Sequence, residues 1–147
     1  MSEKTNGEEL AGYKKKSFAL PYNGGEIWFE HLDGLYGFEE LVLEKLSRDS
    51  RVFSRPSSPT FACFVFDETD VTDEIINAVK RAIVESGKRF LKIAFVGLDR
   101  WSVRKVKKEL SGNGFEMNFL GGLEDAKEWL LAKWIFYEIL PKTEFSP

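Results

Sequence analysis

Between Phe61 and Leu131 the chain alternates, with almost no spare residues, between short apolar runs and helix-length amphipathic segments. Phe61–Asp67 is an apolar run that ends in an acid. Val71–Ser86 repeats its apolar residues at helical spacing and stops at Gly87. Phe90–Gly97 is a second run, Asp99–Leu110 a second helical segment, and Phe115–Leu120 a third run before Glu124–Leu131. Strand-length runs alternating with helices imply βαβ units and a parallel sheet.

Upstream, Ser17–Tyr22 meets Glu26–His31 across Asn23-Gly24-Gly25. Asn and Gly tolerate the positive φ of a tight hairpin turn, so the two arms are expected to pair antiparallel. Phe38, Leu41, Val42 and Leu46 then recur on one helical face, with Glu39 and Glu40 in the favourable first turn. A loop with Pro56 and Pro59 leads to Phe61. Thr72 suits an N-cap, with Asp73 and Glu74 behind it and Ile75, Ile76, Val79, Ala82 and Ile83 as the buried stripe. Trp101, Val103, Val106 and Leu110 are expected to face inward on the next helix. The last helix is expected from Leu123 to about Leu140, before Pro141.

The expected fold is therefore one α/β domain. Its sheet is mixed but mostly parallel, with about five strands, an N-terminal hairpin and helices packed on it. Residues 1–15 read as a flexible tail, 16–140 as the domain and 141–147 as a C-terminal tail. A chain of 147 residues fits one domain, and one of this size buries roughly 70% of its unfolded surface without a staple. Net charge of −3 gives no bulk attraction to nucleic acid, which is disfavoured as a partner. The lone Cys63 has no disulfide partner, and with a single His the chain cannot build a Cys/His zinc site. A reducing, cytoplasmic setting is expected. The polar N-terminus lacks a signal-peptide core, and no run of about 18 apolar residues is available to span a membrane.

Asp67 and Asp99 each follow an apolar run and so belong at the carboxyl edge of the sheet, where open α/β sheets bind ligands. With Asp70 and Asp73 they offer oxygen ligands of the kind Mg²⁺ takes. The same acids serve equally as turn and helix-cap residues, and that structural role is the favoured one. No Walker phosphate loop is present. Ser86-Gly87-Lys88 and Ser111-Gly112-Asn113-Gly114 follow helices, and Gly121-Gly122 reads as a tight turn. Cys63 lies mid-strand, where burial hides a thiol, and His31 has no obvious partner. Without a nucleophile elbow, a metal cluster or a cofactor signature, no catalytic residue, metal or cofactor is assigned. Arg100, Arg104, Lys105, Lys107 and Lys108 read as a solvated basic helix face. Trp129, Trp134, Phe136 and Tyr137 cover more than one face of the last helix and form a candidate interface.

The segments Val65–Ile83, Leu91–Leu110 and Phe119–Leu131 together resemble the STAS domain family of sulfate transporters and anti-sigma-factor antagonists. The resemblance points to its SpoIIAA-like branch, related to lipid-binding proteins of the Sec14 type. Glu124, Ala126 and Trp129-Leu130 match the family's closing-helix pattern. The resemblance implies a non-enzymatic regulatory module that acts through a protein partner, with a homodimer or a small apolar ligand as further expectations. It also places a candidate phosphoacceptor at the helix start after the strand ending in Asp67. There the antagonists carry Asp-Ser-Ser-Gly, whereas this chain has Asp70-Val71-Thr72-Asp73. Thr72 is the nearest hydroxyl, and its acidic neighbours oppose a phosphate. The alternative expectation is a small-molecule, lipid or Mg-binding protein or enzyme that uses the sheet edge near Asp67 and Asp99.

Overall fold

The computed structural model describes residues 10–22, 25–55, 60–87 and 89–139, with side chains through residue 132. A helical turn, α1 (Ala11–Lys14), precedes the hairpin strands β1 (Phe18–Tyr22) and β2 (Gly25–His31). Then come α2 (Glu39–Asp49) with a 3-10 extension at Ser50–Ser54, β3 (Phe61–Val65) and α3 (Asp73–Val84). The chain continues through β4 (Lys92–Val96), α4 (Arg100–Leu110), β5 (Glu116–Leu120) and α5 (Leu123–Ile139). The five strands form one sheet in sequential order, antiparallel between β1 and β2 and parallel elsewhere. This is the mixed sheet that the alternation implied. The Asn23-Gly24 turn lies outside the described residues. Its arms pair in register, with Tyr22 opposite Gly25 and Phe18 opposite Phe29.

Sequential order has a geometric consequence. Each crossover from β2 to β5 steps in the same direction, so a constant crossover hand sends α2, α3 and α4 to one face. Val42 and Leu46, Ile75 to Ile83, and Val106 and Leu110 accordingly share one core with Ala62, Phe64, Phe66, Ile93 and Phe95. Alternation sends Cys63, Val65, Ala94 and Val96 to the opposite face, where Ala126 and Leu130 of α5 meet them. Every residue of β3 and β4 is buried, as expected of parallel strands covered on both faces. Three phenylalanines form a ladder on the three-helix face. Phe64 stacks on Phe95 at 5.6 Å between centroids, and Phe95 on Phe119 at 5.4 Å. The same row continues onto β2 at Glu30, which pairs in register with Phe64.

Two details depart from the sequence reading. Trp101, expected to face inward, is 48% exposed. Stepping back by helical turns from Leu110 through Val106 reaches Ser102, which is buried in its place. The expected tail over residues 1–15 does not extend through residues 10–15. They form α1 and its flanks, and Gly12 is buried against the carbonyls of Asp33 and Gly34. A Cβ at Gly12 would overlap both carbonyl groups.

Candidate functional site

Three loops leave the carboxyl ends of β2, β3 and β4 on neighbouring strands. The first two are stitched together. Leu32 N–H donates to Val65 O (2.9 Å), Gly34 N–H to Asp67 O (2.7 Å) and Tyr36 N–H to Glu68 O (2.9 Å). Asp70 N–H donates back to Tyr36 O (2.8 Å). The Thr69 hydroxyl accepts from Leu35 N–H (3.0 Å) and donates to Leu32 O (2.6 Å). Tyr36 and Glu68 face each other at positive φ, 49° and 57°, a region that residues with side chains enter only under constraint. The Tyr36 hydroxyl donates to Glu68 Oε1 (3.4 Å).

The four edge residues expected from sequence occupy these loops, and two of them, Thr72 and Asp99, are helix caps. Asp67 turns back against Gly97, whose φ is +85°. A Cβ there would lie 2.7 Å from the Asp67 nitrogen and against its carboxylate. Asp99 caps α4, accepting from Ser102 N–H at 2.7 Å. Thr72 caps α3, accepting from Ile75 N–H at 3.2 Å, while its hydroxyl donates to Glu39 Oε2. Asp70 sits beside Gly37, where a Cβ would touch its Oδ2 at 3.4 Å. Among the described residues, no three His, Cys, Asp or Glu are grouped to hold a metal.

Between β2, β3 and β4 the following helices go to the same face, so the loops do not part into a crevice. Divergence occurs between β4 and β5, whose helices take opposite faces. There Gly97 N–H donates to Leu120 O at 3.4 Å and bridges the gap. What the edge presents instead is a surface. Asp67, Glu68, Asp70, Asp73, Glu74 and Asp99 are exposed on it, beside exposed Tyr36, Phe38 and Trp101.

A second polar constellation, unforeseen from the sequence, is buried where α2 crosses β2. Lys45 is 1% exposed, and its ammonium donates to His31 O (2.6 Å), Ser17 Oγ (3.0 Å) and Asp49 Oδ2 (3.1 Å). Ser17 in turn donates to Asp49 Oδ2 at 2.9 Å and accepts from His31 N–H at 2.9 Å. Glu30 is fully buried, and Trp28 Nε1–H donates to its Oε1 at 2.7 Å. With both carboxyls ionised, Glu30 Oε2 would be a buried acceptor without a donor. A proton on Glu30 removes that cost by serving as donor to Asp49. Burial, then the bond to Asp49 and its negative charge, push the Glu30 carboxyl well above 4.5, and Trp28 and Lys45 offset this only in part. Burial acts to raise Asp49 too, but bonding from Glu30 and Ser17 and the Lys45 charge outweigh it and hold Asp49 below 3.8.

His31 is buried as well, and it has a partner that the sequence did not reveal. Its Nδ1 meets Asp33 Oδ1 at 2.8 Å, and Lys15 reaches Asp33 Oδ2 at 2.7 Å. Burial opposes ionisation of Asp33, yet the bonds from His31 and Lys15 prevail and bring it down to about 2. Cys63 is a core thiol, pushed up to about 12 by burial.

The Lys92 ammonium of β4 donates to Trp129 O of α5 (2.6 Å) and lies 4.6 Å from the Trp129 ring centroid. Trp129 is thus partly used within the fold. The side chains of Trp134, Phe136 and Tyr137 lie outside the described residues. No helix among the described residues is long and apolar enough to cross a membrane. No family model, curated protein or solved structure matches the chain.

Proposed function

We propose that the chain is a non-enzymatic interaction module whose carboxyl-edge surface docks a protein partner rich in Lys and Arg. The observation that carries this reading is the exposed pairing of acids with aromatics across three loops. Asp67, Glu68, Asp70 and Asp99 supply negative charge, and Tyr36 and Trp101 supply rings over which a cation is attracted. Exposed aromatic rings lose little on docking and gain much, which is why interfaces are enriched in them. The use of Asp99 and Thr72 as helix caps supports a binding role for this edge over a catalytic one.

The resemblance to anti-sigma-factor antagonists and the sequential sheet are consistent with a STAS-like scaffold acting in a cytoplasmic regulatory complex. A phosphorylation switch at Thr72 fits poorly. A phosphate there would meet Glu39 and would displace the cap of α3.

The test is affinity capture from lysate of the source cell with the parent chain and with Glu68→Lys/Asp70→Lys and Trp101→Ala variants. A shared basic protein retained by the parent, released by moderate salt and lost with both variants is the expected result. Identical captured proteins for all three baits would refute the assignment of this edge.

A further inference from the structure

We propose that a second site, a basic cleft between the Tyr13–Ser17 segment and α2, binds the phosphate group of a small soluble phosphorylated molecule. The cleft has a volume of about 380 Å³, within the range of small-molecule sites. Its lining brings together five cationic side chains, Lys14, Lys15, Lys16, Lys45 and Arg48, against one carboxylate, Asp49. That balance is opposite in sign to the chain as a whole, whose net charge is −3. Like charges gathered in a concave wall repel one another unless an anion is shared between them, and low-dielectric walls focus their field on the space they enclose.

Internal acids account for only part of this charge. Lys15 pairs with Asp33 at 2.7 Å. Lys45 and Arg48 both lean on Asp49, at 3.1 and 3.5 Å. Lys14 and Lys16 have no acidic partner among the described residues, so their charges are open to a ligand. Lys45 acts differently. Its donors are engaged by His31 O, Ser17 and Asp49, so it offers an anion no additional bond. Paired with Asp49, it fixes the buried wall of the cleft and leaves the open charge to its neighbours. Arg48 lies 5.7 Å from the Tyr13 ring centroid, which holds its guanidinium in place. A positioned guanidinium fork matches the oxygens of a phosphate better than a mobile ammonium does.

Cations from two separate elements therefore converge on one half-open cleft, which distinguishes this feature from the solvated basic face of α4. A phosphate supplies two negative charges and several acceptor oxygens, the complement of this lining. The small extent of the lining favours a small molecule over a nucleic-acid backbone, which needs an extended basic track. The site is independent of the carboxyl-edge surface proposed above.

Inorganic pyrophosphate is the first probe, titrated by calorimetry at low salt with sodium chloride of equal ionic strength as the blank. A Lys14→Gln/Lys16→Gln variant is the comparison, because both side chains are exposed and make no bond within the described fold. Binding to the parent and at least tenfold weaker binding to the variant, with unchanged melting temperature without ligand, is the expected result. Phosphatidylcholine vesicles with and without phosphatidic acid form the second arm. Vesicle binding that requires phosphatidic acid and the two lysines, with pyrophosphate silent, would overturn the soluble-ligand assignment in favour of a lipid phosphate. Absence of binding in both arms, or equal binding by parent and variant, would overturn the site itself.

Discussion

Replacing Glu30 by Gln should make the protein more stable than the parent at neutral pH, and increasingly so as pH rises from about 4.5. Gln is close in shape to a protonated Glu. Its carbonyl oxygen can accept from Trp28 Nε1–H, and its amide can donate to Asp49 as the carboxyl proton does. The folded-state pKa of Glu30 is raised above its ordinary 4.5, so the folded protein holds a proton that the unfolded chain releases. The sign follows by linkage. The contribution of Glu30 is fully present below about 4.5 and is lost as pH climbs toward the raised folded value. One proton of difference between the two states corresponds to a slope on the order of 1 kcal/mol per pH unit. The Gln variant has no such proton, so its stability relative to the parent should rise with that slope from about 4.5 until the folded pKa is passed. Asp49 does not mask the effect. Its folded pKa is depressed, so its contribution is present above 3.8 and is lost only as pH falls below that value. Urea unfolding followed by Trp fluorescence at half-unit steps from pH 4.5 to 8 measures the difference. A parent–variant difference that stays constant across this range would show that Glu30 is not held protonated in the folded state, and the account of the buried pair would fail.

Gly97→Ala should cost about 2–4 kcal/mol in the same urea assay, because the new methyl meets Asp67 N and its carboxylate at a φ of +85°. A loss below about 1 kcal/mol would mean that the Asp67 turn yields freely. Cys63 should resist a thiol reagent at pH 8 in the folded protein and react at once in urea, since burial both shields the thiol and pushes it up to about 12. Labelling at equal rates in both conditions would contradict its place in the core.

The elements were legible because each follows from a local period. The apolar runs became β3, β4 and β5, and the helical stripes became α3 and α4. Thr72 and Asp99 were legible for a similar reason, since a capping side chain bonds within three residues of itself. What escaped were positions whose meaning depends on distant partners. Lys45 and Asp49 fall on the same helical row as Val42 and Leu46, and Glu30 shares a face of the sheet with Trp28 and Leu32, toward α2. Charged residues in those seats were the available signal, but without the register of β2 against α2 nothing indicated that they face one another. His31 and Asp33 escaped for the opposite reason. They are only two residues apart, but the turn that joins them is fixed by long-range bonds to β3 and its loop. Trp101 is the stronger hydrophobic cue in sequence, yet the helical phase set by Val106 and Leu110 selects Ser102 as the buried position.

The sequential sheet also dictates an order of assembly during synthesis. As the chain leaves the ribosome, β1 and β2 can close first, and each later strand finds its partner already waiting at the growing edge. None has to be inserted between strands that have already joined, so loop-closure cost stays small at every step. The exception is α5, the last of the described helices to emerge and the one that crosses to the other face. Until it lands, Cys63, Val65, Ala94 and Val96 lack the cover that Ala126 and Leu130 later give them. A nascent chain that has emerged only as far as Gly122 would therefore carry all five strands and a bare apolar face, the form of this protein in which chaperones should have most interest.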